Sequence, residues 1–458
     1  MPTAAEQLAA YAASVDAEAL PADVRHAAKR CVLDAVGVAL AGAGTPWAQS
    51  VLAAVRALEG PPRARIVGHG ERTSAPLAAL VNGTAVHALD YDDDPAACHI
   101  GAVVVPTALA VGETLLASPL RVLTAVVLGY DVTARVGEGV DADLLYHRGF
   151  HPTAVCGVFG AAATAAALMG LDAQRTANAL GLAGSFSAGN MEFLADGAMS
   201  KRVQPGKAAH DGILAATLAG SGVTGPRTAL EGRYGFWRYT ESRDEERFTR
   251  ALGSRFAVRE VFFKKHASCL ANAPAIDAVL ALLRDERIAP DRVAEIRVGV
   301  RPSSLAMVGE PRDLRVRPRT MLDAQMSMPY SLAVAMLDGE AGIAQFDAER
   351  LGDPAVLRLA ERIHPYSHPE LERAKAGNLT SYVELTTTSG ARHACRVATY
   401  RGHPDTPMSD EELEAKFLRC ARLRLVEARV QAASEAIWTL DTLPTLDPLL
   451  AAIAGREA

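Results

Sequence analysis

The spacing of apolar residues changes twice along this 458-residue chain, and these changes constrain the possible folds most strongly. Before about residue 260, apolar side chains recur every three or four positions, for example over 5–15, which predicts helices. In 292–300 (RVAEIRVGV) apolar and polar residues alternate, which predicts a half-buried strand. A helical pattern returns over 409–432, where Ser409 and three acidic residues form a helix start. The sequence therefore predicts a mainly α protein that contains a smaller α/β part.

The smaller α/β part is predicted from strand patterns and helical patterns that lie between the two helical segments of the chain. Two strand-like segments, 382–386 and 393–398, flank Ser389-Gly390 and predict a β-hairpin. Helical patterns also occur in this part, near 273–284, 330–337 and 353–363. A chain of this length is typical of two or three domains. We predict two: an all-helical domain formed by residues 1–264 and 402–458, and an inserted α/β (α+β) domain of residues 265–401.

Composition excludes several classes of protein. Apolar residues make up 49% and charged residues 22% of the chain, which excludes an intrinsically disordered protein. The net charge is −6, so we expect no nucleic-acid partner. This charge is compatible with a local basic pocket that binds an anion. The uncharged stretch 152–171 is as long as a membrane span, but it consists mostly of Ala, Gly and Thr. We interpret it as a buried helix and expect no membrane partner.

Two further observations concern the cellular compartment. Residues 1–10 lack a basic segment, and acidic residues at 6, 16 and 18 interrupt any apolar run, so we predict no targeting signal and a cytoplasmic location. The six cysteines are scattered and form no CxxC pair. This pattern predicts reduced thiols and argues against an iron–sulfur cluster or a structural zinc site.

The densest group of polar residues is 87–94 (HALDYDDD), which His99 follows. Its four carboxylates repel one another unless other groups compensate for their charge. Three interpretations remain open: an exposed acidic loop that caps the next helix, a divalent-metal site, or a metal-free site with a histidine as proton carrier. Because the following residues 101–106 are apolar, we expect His99 to be partly buried, with a shifted pKa suited to proton transfer.

A second group, 146–153 (YHRGFHPT), precedes a helix of small residues. A histidine at the N-terminus of a helix is held neutral by the helix dipole, and neutral imidazole is a competent base. His151 is therefore a candidate base. The alternative is a histidine that only caps the helix or has its hydrogen bonds satisfied in the core.

A third group, 200–210 (SKRVQPGKAAH), places three cations within seven residues: Lys201, Arg202 and Lys207. Lysine and arginine side chains bind carboxylates, arginine often through two hydrogen bonds. The group is a candidate anion site because apolar segments flank it on both sides. The alternative is an ordinary solvated basic turn.

A fourth group, 262–269 (FFKKHASC), lies at the predicted domain boundary. A lysine in apolar surroundings can have a lowered pKa and act as a base, and Lys264 and Lys265 are candidates. A surface linker is the alternative. The chain contains no GxGxxG, P-loop, HExxH or GxSxG motif, so redox, nucleotide and serine-hydrolase functions have no support.

Taken in their order along the chain, these groups resemble the MmgE/PrpD family, which includes 2-methylcitrate dehydratase, cis-aconitate decarboxylase and iminodisuccinate epimerase. The motifs that carry the resemblance span nearly the whole chain: HALDYDDD with GAVVVP, GFHPTAVCGVFGAAA, GAMSKRVQPGKAA, KKHASC with PAIDA, AQMSMPYSLAVA and RGHPDTPMSDEELEAKF. The resemblance implies a large helical domain built from both chain ends and a smaller α/β lid domain. It also implies a homodimer and a small carboxylate as substrate. The active site is expected to lie between the two domains and to contain neither a metal nor a cofactor.

The resemblance also assigns residues to the site. Catalytic residues implied by matching motifs are His99, His151, Tyr146, Lys201 and Lys264, with Tyr146 and Lys264 as the acid/base pair of the epimerase-like members. Substrate-binding residues implied in the same way, or by charge close to these motifs, are Asp90, Asp94, Arg148, Arg202, Lys207 and Lys265.

Three positions depart from the family pattern. Asp94 replaces a hydroxyl residue, Gln204 replaces a histidine, and Ala273 stands where a further histidine is expected. Asp94 and Ala273 fall at positions that help to form the decarboxylase site, so the departures argue against cis-aconitate decarboxylation. An added acid beside a carboxylate pocket also suggests a less anionic substrate.

We predict a cofactor-independent enzyme that removes a proton α to a carboxylate of a small carboxylic acid, while lysine or arginine cations stabilise the enolate-like charge. The first candidate is a hydro-lyase like 2-methylcitrate dehydratase, and the alternative is an epimerase. The remaining candidates are a cis-aconitate-type decarboxylase and a non-catalytic ligand-binding homologue.

Overall fold

The computed structural model describes residues 1–94, 98–373 and 379–455. Helices dominate the first part of the chain, as predicted. They are α1 (Ala4–Ser14), α2 (Ala22–Gly42), α3 (Pro46–Leu58), α4 (Ala75–Val86), α5 (Gly101–Thr114), α6 (Pro119–Gly139), α7 (Ala142–His147), α8 (Pro152–Met169), α9 (Ala173–Phe186), α10 (Ser200–Gly220) and α11 (Glu245–Thr249). Two short antiparallel strands, β1 (Ala64–Arg65) and β2 (Arg72–Thr73), lie between α3 and α4.

Helix α10 packs against α4, α8 and α9 in the centre of the helical part. Small residues make this close packing possible. A Cβ atom on Gly206 of α10 would lie 2.2 Å from the carbonyl oxygen of Leu80 in α4, so only glycine fits there. This crossing brings the beginning of α10 next to the end of α4, where two of the charged groups of the sequence lie.

Helix α8 is the uncharged segment predicted to be a buried helix. It is long and apolar enough to cross a membrane, but 89% of it is buried inside the protein, as is usual for a core helix. The prediction of a buried helix is confirmed.

The α/β part follows after a long connection. Its helices are α12 (Ala273–Asp285), α13 (Pro302–Val308), α14 (Arg312–Val316), α15 (Met321–Gln325), α16 (Met328–Asp338), α17 (Ala348–Leu351) and α18 (Pro354–Ala360). Its strands are β3 (Val293–Val300), β4 (Ile363–Ser367), β5 (Ser381–Thr387) and β6 (Arg392–Val397). They form one sheet in the order β4-β3-β5-β6, in which only β3 and β4 are parallel. The predicted strand and the predicted hairpin are both confirmed.

The chain ends in α19 (Asp410–Ala421), α20 (Glu427–Trp438) and α21 (Asp447–Ala452). Helix α19 starts with the predicted capping box of Ser409 and Glu412, and it packs against α2. Lys416 of α19 forms a buried ion pair with Asp34 of α2, with 2.6 Å between Nζ and Oδ1. The C-terminal helices therefore contact the first helices of the chain.

The buried apolar residues form two main clusters. One combines residues of 4–263 with residues of 408–453, and the other consists mainly of residues of 267–385. The fold is thus mainly α with a small mixed sheet. The domain boundaries at 264 and 402 stay predictions, which this distribution of the two clusters supports.

Candidate active site

The segment after α4 is buried, although it is rich in carboxylates. His87, Asp90, Asp92 and Asp93 are each at most 1% exposed. The interpretation of an exposed acidic loop is therefore wrong. Asp90 adopts a left-handed conformation with φ of 51°, which ends the helical turn of 87–89.

Two lysines from distant segments compensate the charge of Asp90. Lys264 Nζ donates hydrogen bonds to the Asp90 carboxylate, at 2.9 Å, and to its backbone carbonyl, at 3.0 Å. Lys201 Nζ lies 3.1 Å from the same carboxylate oxygen. Since Lys201 is 5% and Lys264 2% exposed, neither the solvated turn nor the surface linker describes these two residues.

The protonation states in this triad follow from burial and charge. Burial alone would raise the pKa of Asp90, but Lys201 and Lys264 outweigh it and hold the pKa well below its usual range. Burial disfavours both ammonium groups. For Lys264 the surrounding carboxylates overcome burial and raise the pKa, whereas for Lys201 burial and Arg202 leave the pKa lowered. Lys264 is the more firmly held cation of the two.

His99 lies beside this triad as a neutral imidazole. Its Nδ1 donates a hydrogen bond to the carbonyl oxygen of Asp93 at 2.9 Å, so Nε2 carries the free lone pair. Nε2 lies 4.0 Å from Asp90 Oδ1. Burial lowers the pKa of His99 well below its ordinary value, despite the nearby carboxylate of Asp92. His99 is 5% exposed, so it is more deeply buried than the partly buried position expected from the sequence, and its suitability for proton transfer stays a prediction.

His151 is a second neutral imidazole, placed at the N-cap of α8 as predicted. Its Nδ1 donates to Oε1 of Gln204 in α10 at 2.8 Å, which leaves Nε2 as the basic atom. The amide nitrogen of Gln204 donates to the carbonyl oxygen of Asn190, which sets the orientation of the amide. Burial and the charge of Lys201 lower the pKa of His151 to about 4.

Gln204 is a positioning residue for His151, and the structure predicts how it can be tested. In Gln204→Glu a carboxylate would accept from Nδ1 and stabilise the imidazolium, so we expect the pKa of His151 to rise by about one unit or more. Gln204→Leu would remove the acceptor and should leave the pKa low. NMR titration of the His151 ring measures both changes, and an unchanged pKa in Gln204→Glu would contradict the assignment.

The Lys201–Asp90–Lys264 triad, His99 and His151 line a cavity of about 740 Å³. Both parts of the chain line this cavity. Among the residues predicted for the site, those in its lining are Asp90, Asp94, His99, Tyr146, His151, Lys201 and Lys264. The volume lies in the usual range for small-molecule sites.

Asp94 and Tyr146 both line the cavity. Burial raises the pKa of Asp94 to about 6, although Lys264 opposes this rise, and its Oδ1 has no hydrogen-bond partner among the described residues. Burial and the charge of Asp94 raise the pKa of the Tyr146 phenol well above its ordinary value, so the phenol is protonated. The departure at Asp94 therefore places a carboxyl group within the site.

Four predicted substrate-binding residues lie outside the lining, among the residues that the structure describes. Arg202 donates to the carbonyl oxygen of His87 at 3.2 Å and to the side chain of Gln325, so it holds the loop rather than a ligand. The other three are oriented elsewhere: Lys207 pairs with Asp211, Lys265 pairs with Asp277, and Arg148 is exposed after α7. Ala273 is also absent from the lining.

Sequence reasoning did not select several residues that the structure brings to the site. His87 lies close to both imidazoles, with ring centroids 4.6 Å from His99 and 5.8 Å from His151, and its Nδ1 lies 2.8 Å from Asp92 Oδ2. Its position in the HALDYDDD segment was the available signal. Cys269 also lines the cavity, and nothing in the sequence distinguishes its thiol from the five others.

Among the described residues, His87, Asp92 and His99 are the group whose ligand atoms could approach a metal ion, since these atoms lie within 4.8 Å of one another. Nδ1 of His87 and Nδ1 of His99 are both engaged in hydrogen bonds, with Asp92 and with the Asp93 carbonyl respectively. The arrangement is explained by these hydrogen bonds, and the absence of a metal stays a prediction.

Comparison with protein families identifies the chain. The model of the MmgE/PrpD N-terminal domain matches residues 6–249, and that of the MmgE/PrpD C-terminal domain matches residues 266–442. The chain therefore belongs to the MmgE/PrpD family, as its motifs indicate.

Curated relatives match over almost their full length. A cis-aconitate decarboxylase of Aspergillus terreus is 29% identical, with 96% of this chain and 94% of the relative covered. A cis-aconitate decarboxylase-like protein of Aspergillus oryzae is 28% identical, with 95% and 94% covered. The cis-aconitate decarboxylase of Mus musculus is 26% identical, with 93% and 88% covered.

Proposed function

We propose that this protein is a lyase that activates the carbon next to a carboxylate group of a small organic acid. The observation that carries this proposal is one cavity whose lining contains two neutral imidazoles, His99 and His151, together with the Lys201–Asp90–Lys264 triad. A neutral imidazole accepts a proton, and two ammonium groups stabilise the negative charge that develops on the substrate carboxylate. Family membership and the names of the relatives support the same class of enzyme.

We assign the role of base to His151, because Gln204 directs its free Nε2 and holds it in one tautomer. A pKa of about 4 makes it a weak base in the empty site. A carboxylate bound at the lysines would stabilise the imidazolium and raise this pKa, so the base becomes stronger when the substrate is present. His99 is the second candidate for this role.

Dehydration is the first candidate reaction, and Asp94 favours it. A carboxyl group with a pKa of about 6 keeps a proton on part of the molecules near neutral pH, so it is suited to protonate a leaving group. The base removes the Cα proton, that electron pair forms the carbon–carbon double bond, and the Cβ–O bond breaks. The departing hydroxyl takes the Asp94 proton and leaves as water.

Decarboxylation is the second candidate, and the relatives named as cis-aconitate decarboxylases favour it. In this reaction a carboxylate leaves as CO₂, and the resulting carbanion takes a proton at carbon. Epimerisation would need an acid and a base on opposite faces of the substrate. Tyr146 and Lys264 both line the cavity, but Lys264 is held at Asp90 by two hydrogen bonds, which favours a role as fixed cation.

The purified protein, incubated with hydroxy- and unsaturated carboxylic acids in D₂O, tests the proposal. Mass spectrometry distinguishes loss of water, loss of CO₂ and exchange of hydrogen for deuterium without loss. We expect loss of water with a β-hydroxy acid. Loss of CO₂ alone would select the second candidate, and exchange alone would select epimerisation. Absence of both product and exchange with every acid that binds would overturn the proposal.

The pH dependence of kcat/KM gives an independent prediction. His151 must be neutral, so activity falls as the pH decreases through about 4, and Asp94 must be protonated, so activity falls as the pH increases through about 6. We expect a bell-shaped profile between these limits. Asp94→Asn should remove the alkaline limb and lower the maximum, and an alkaline limb that persists in this variant would exclude Asp94 as the acid.

The homodimer and the cytoplasmic location also stay proposals. The homodimer rests on the resemblance, and the location rests on the scattered cysteines, all six of which are free thiols. Size-exclusion chromatography with light scattering tests the first, and cell fractionation tests the second.

A further inference from the structure

The lining of the cavity contains a cluster of apolar residues beside the acid/base groups described above. This cluster, which we call the methionine wall, consists of Met191, Phe193, Leu194, Met307 and Met326. Segments from both parts of the chain contribute to it, since 191–194 follow α9, whereas Met307 lies in α13 and Met326 ends α15.

The methionine wall begins directly at the catalytic groups. The ring of Phe193 lies edge-on to His151, with 5.7 Å between the centroids. Cys269, which also lines the cavity, contacts Met307 with 3.6 Å between the two sulfur atoms. A ligand bound at the lysine triad and His151 therefore has apolar side chains next to its remaining atoms.

The methionine wall is packed but keeps surface towards the cavity. Phe193 and Met326 are 2% and 4% exposed, while Met191, Leu194 and Met307 are only partly buried. Methionine side chains are flexible and polarisable, and they adapt to apolar groups of different shape. Apolar surface that lines a cavity beside a reactive centre contributes binding energy when a ligand covers it.

The positive charge available to a substrate is small. Among the lining residues, Lys201 and Lys264 share the countercharge of Asp90, and Asp94 adds a further carboxyl group to the same cavity. The arginines that line the cavity are paired with carboxylates: Arg255 with Glu138 and Glu260, Arg247 with Asp244, and Arg301 with Asp143. The positive charge of the lining that is left for a substrate therefore neutralises one ionised substrate carboxylate far better than it neutralises three.

We infer that the substrate is a monocarboxylic acid with an apolar chain of several carbons, whose carboxylate lies at the lysine triad and whose chain lies along the methionine wall. This inference rests on the proposed function for the position of the carboxylate. It specifies a substrate class with less charge and more apolar surface than a tricarboxylate such as cis-aconitate.

Calorimetric binding of unreactive acids to the intact protein tests this inference. The probes are acetate, butanoate, hexanoate and octanoate, with propane-1,2,3-tricarboxylate for comparison, at about pH 8, where all of their carboxyl groups are ionised. We expect the affinity to increase about two- to fourfold per added methylene and hexanoate to bind more tightly than the tricarboxylate. A flat chain-length series, or tighter binding of the tricarboxylate, would overturn the inference.

Substitutions in the methionine wall show where the chain binds. Met307→Gln keeps the length of the side chain but makes it polar, so we expect the gain per methylene to decrease while acetate binding stays the same. Met191→Gln is a second variant with the same expectation. The matched control is Met199→Gln, which changes an exposed methionine outside the cavity lining and should leave the series unchanged.

The binding series is independent of turnover. A protein that shows the chain-length dependence but no exchange or product formation would contradict the proposed function and support the inference. A protein that forms product from polycarboxylates without a chain-length dependence would do the opposite.

Discussion

Replacing Asp90 by asparagine is expected to destabilise the protein by about 3–5 kcal/mol and to lower turnover at least about 10²-fold. The carboxylate is the shared countercharge of two buried lysines, so its removal leaves two buried ammonium groups without their hydrogen-bonded partner. One lysine is then expected to lose its proton, and the positive charge that should stabilise the enolate falls. Urea unfolding and steady-state kinetics measure the two effects.

Glu113→Gln provides the matched control for this experiment. Glu113 is 8% exposed and also pairs with two cations, Arg65 and Arg72, each at 3.1 Å, but none of the three lines the cavity. We expect a loss of stability with turnover retained below the melting temperature. If Asp90→Asn left both stability and turnover unchanged, the triad would have neither the structural nor the catalytic role described here.

Replacing His151 by alanine is expected to lower kcat by about 10²–10⁴-fold, the usual contribution of a general base. The substrate should still bind, because the lysine triad is not altered. Added imidazole should restore part of the activity, since the variant leaves a space next to Gln204. Steady-state kinetics with and without imidazole measure the loss and the rescue.

His69→Ala is the control for His151→Ala. His69 is 9% exposed, its pKa is also lowered by burial, and it contacts Arg424 and Gln49 outside the cavity lining. Its replacement should leave kcat unchanged. If His151→Ala kept full turnover, the role of base would pass to His99.

Much of the fold could be predicted because its signals are local. The alternation in 292–300 defines strand β3, and the turn at Ser389-Gly390 defines the β5–β6 hairpin, since both depend only on neighbouring residues. The parallel strand β4 was not predicted. Its segment 363–367 is short and follows a helix, and only its pairing with β3 makes it a strand.

Part of the site could also be predicted, because its motifs contain the right residue types. The motifs pointed to Asp90, His99, His151, Lys201 and Lys264, and the structure brings all of them to one cavity. Arg202, Lys207 and Lys265 belong to the same motifs but are oriented away from this cavity. Neighbouring residues in the sequence do not show whether these side chains face the cavity. Their orientation depends on how α10 and the connection before α12 pack.

The sequence by itself determined the family, the helical character and the set of reactive residues, since motifs and periodicity are properties of neighbouring positions. The tertiary structure decided which of these residues act together and in which protonation state. Asp90 meets Lys264 across 174 positions, and His151 meets Gln204 across 53. Burial and distant charges set the pKa of each group, so a solvated acidic loop and an ionised active site could be distinguished only after the chain was folded.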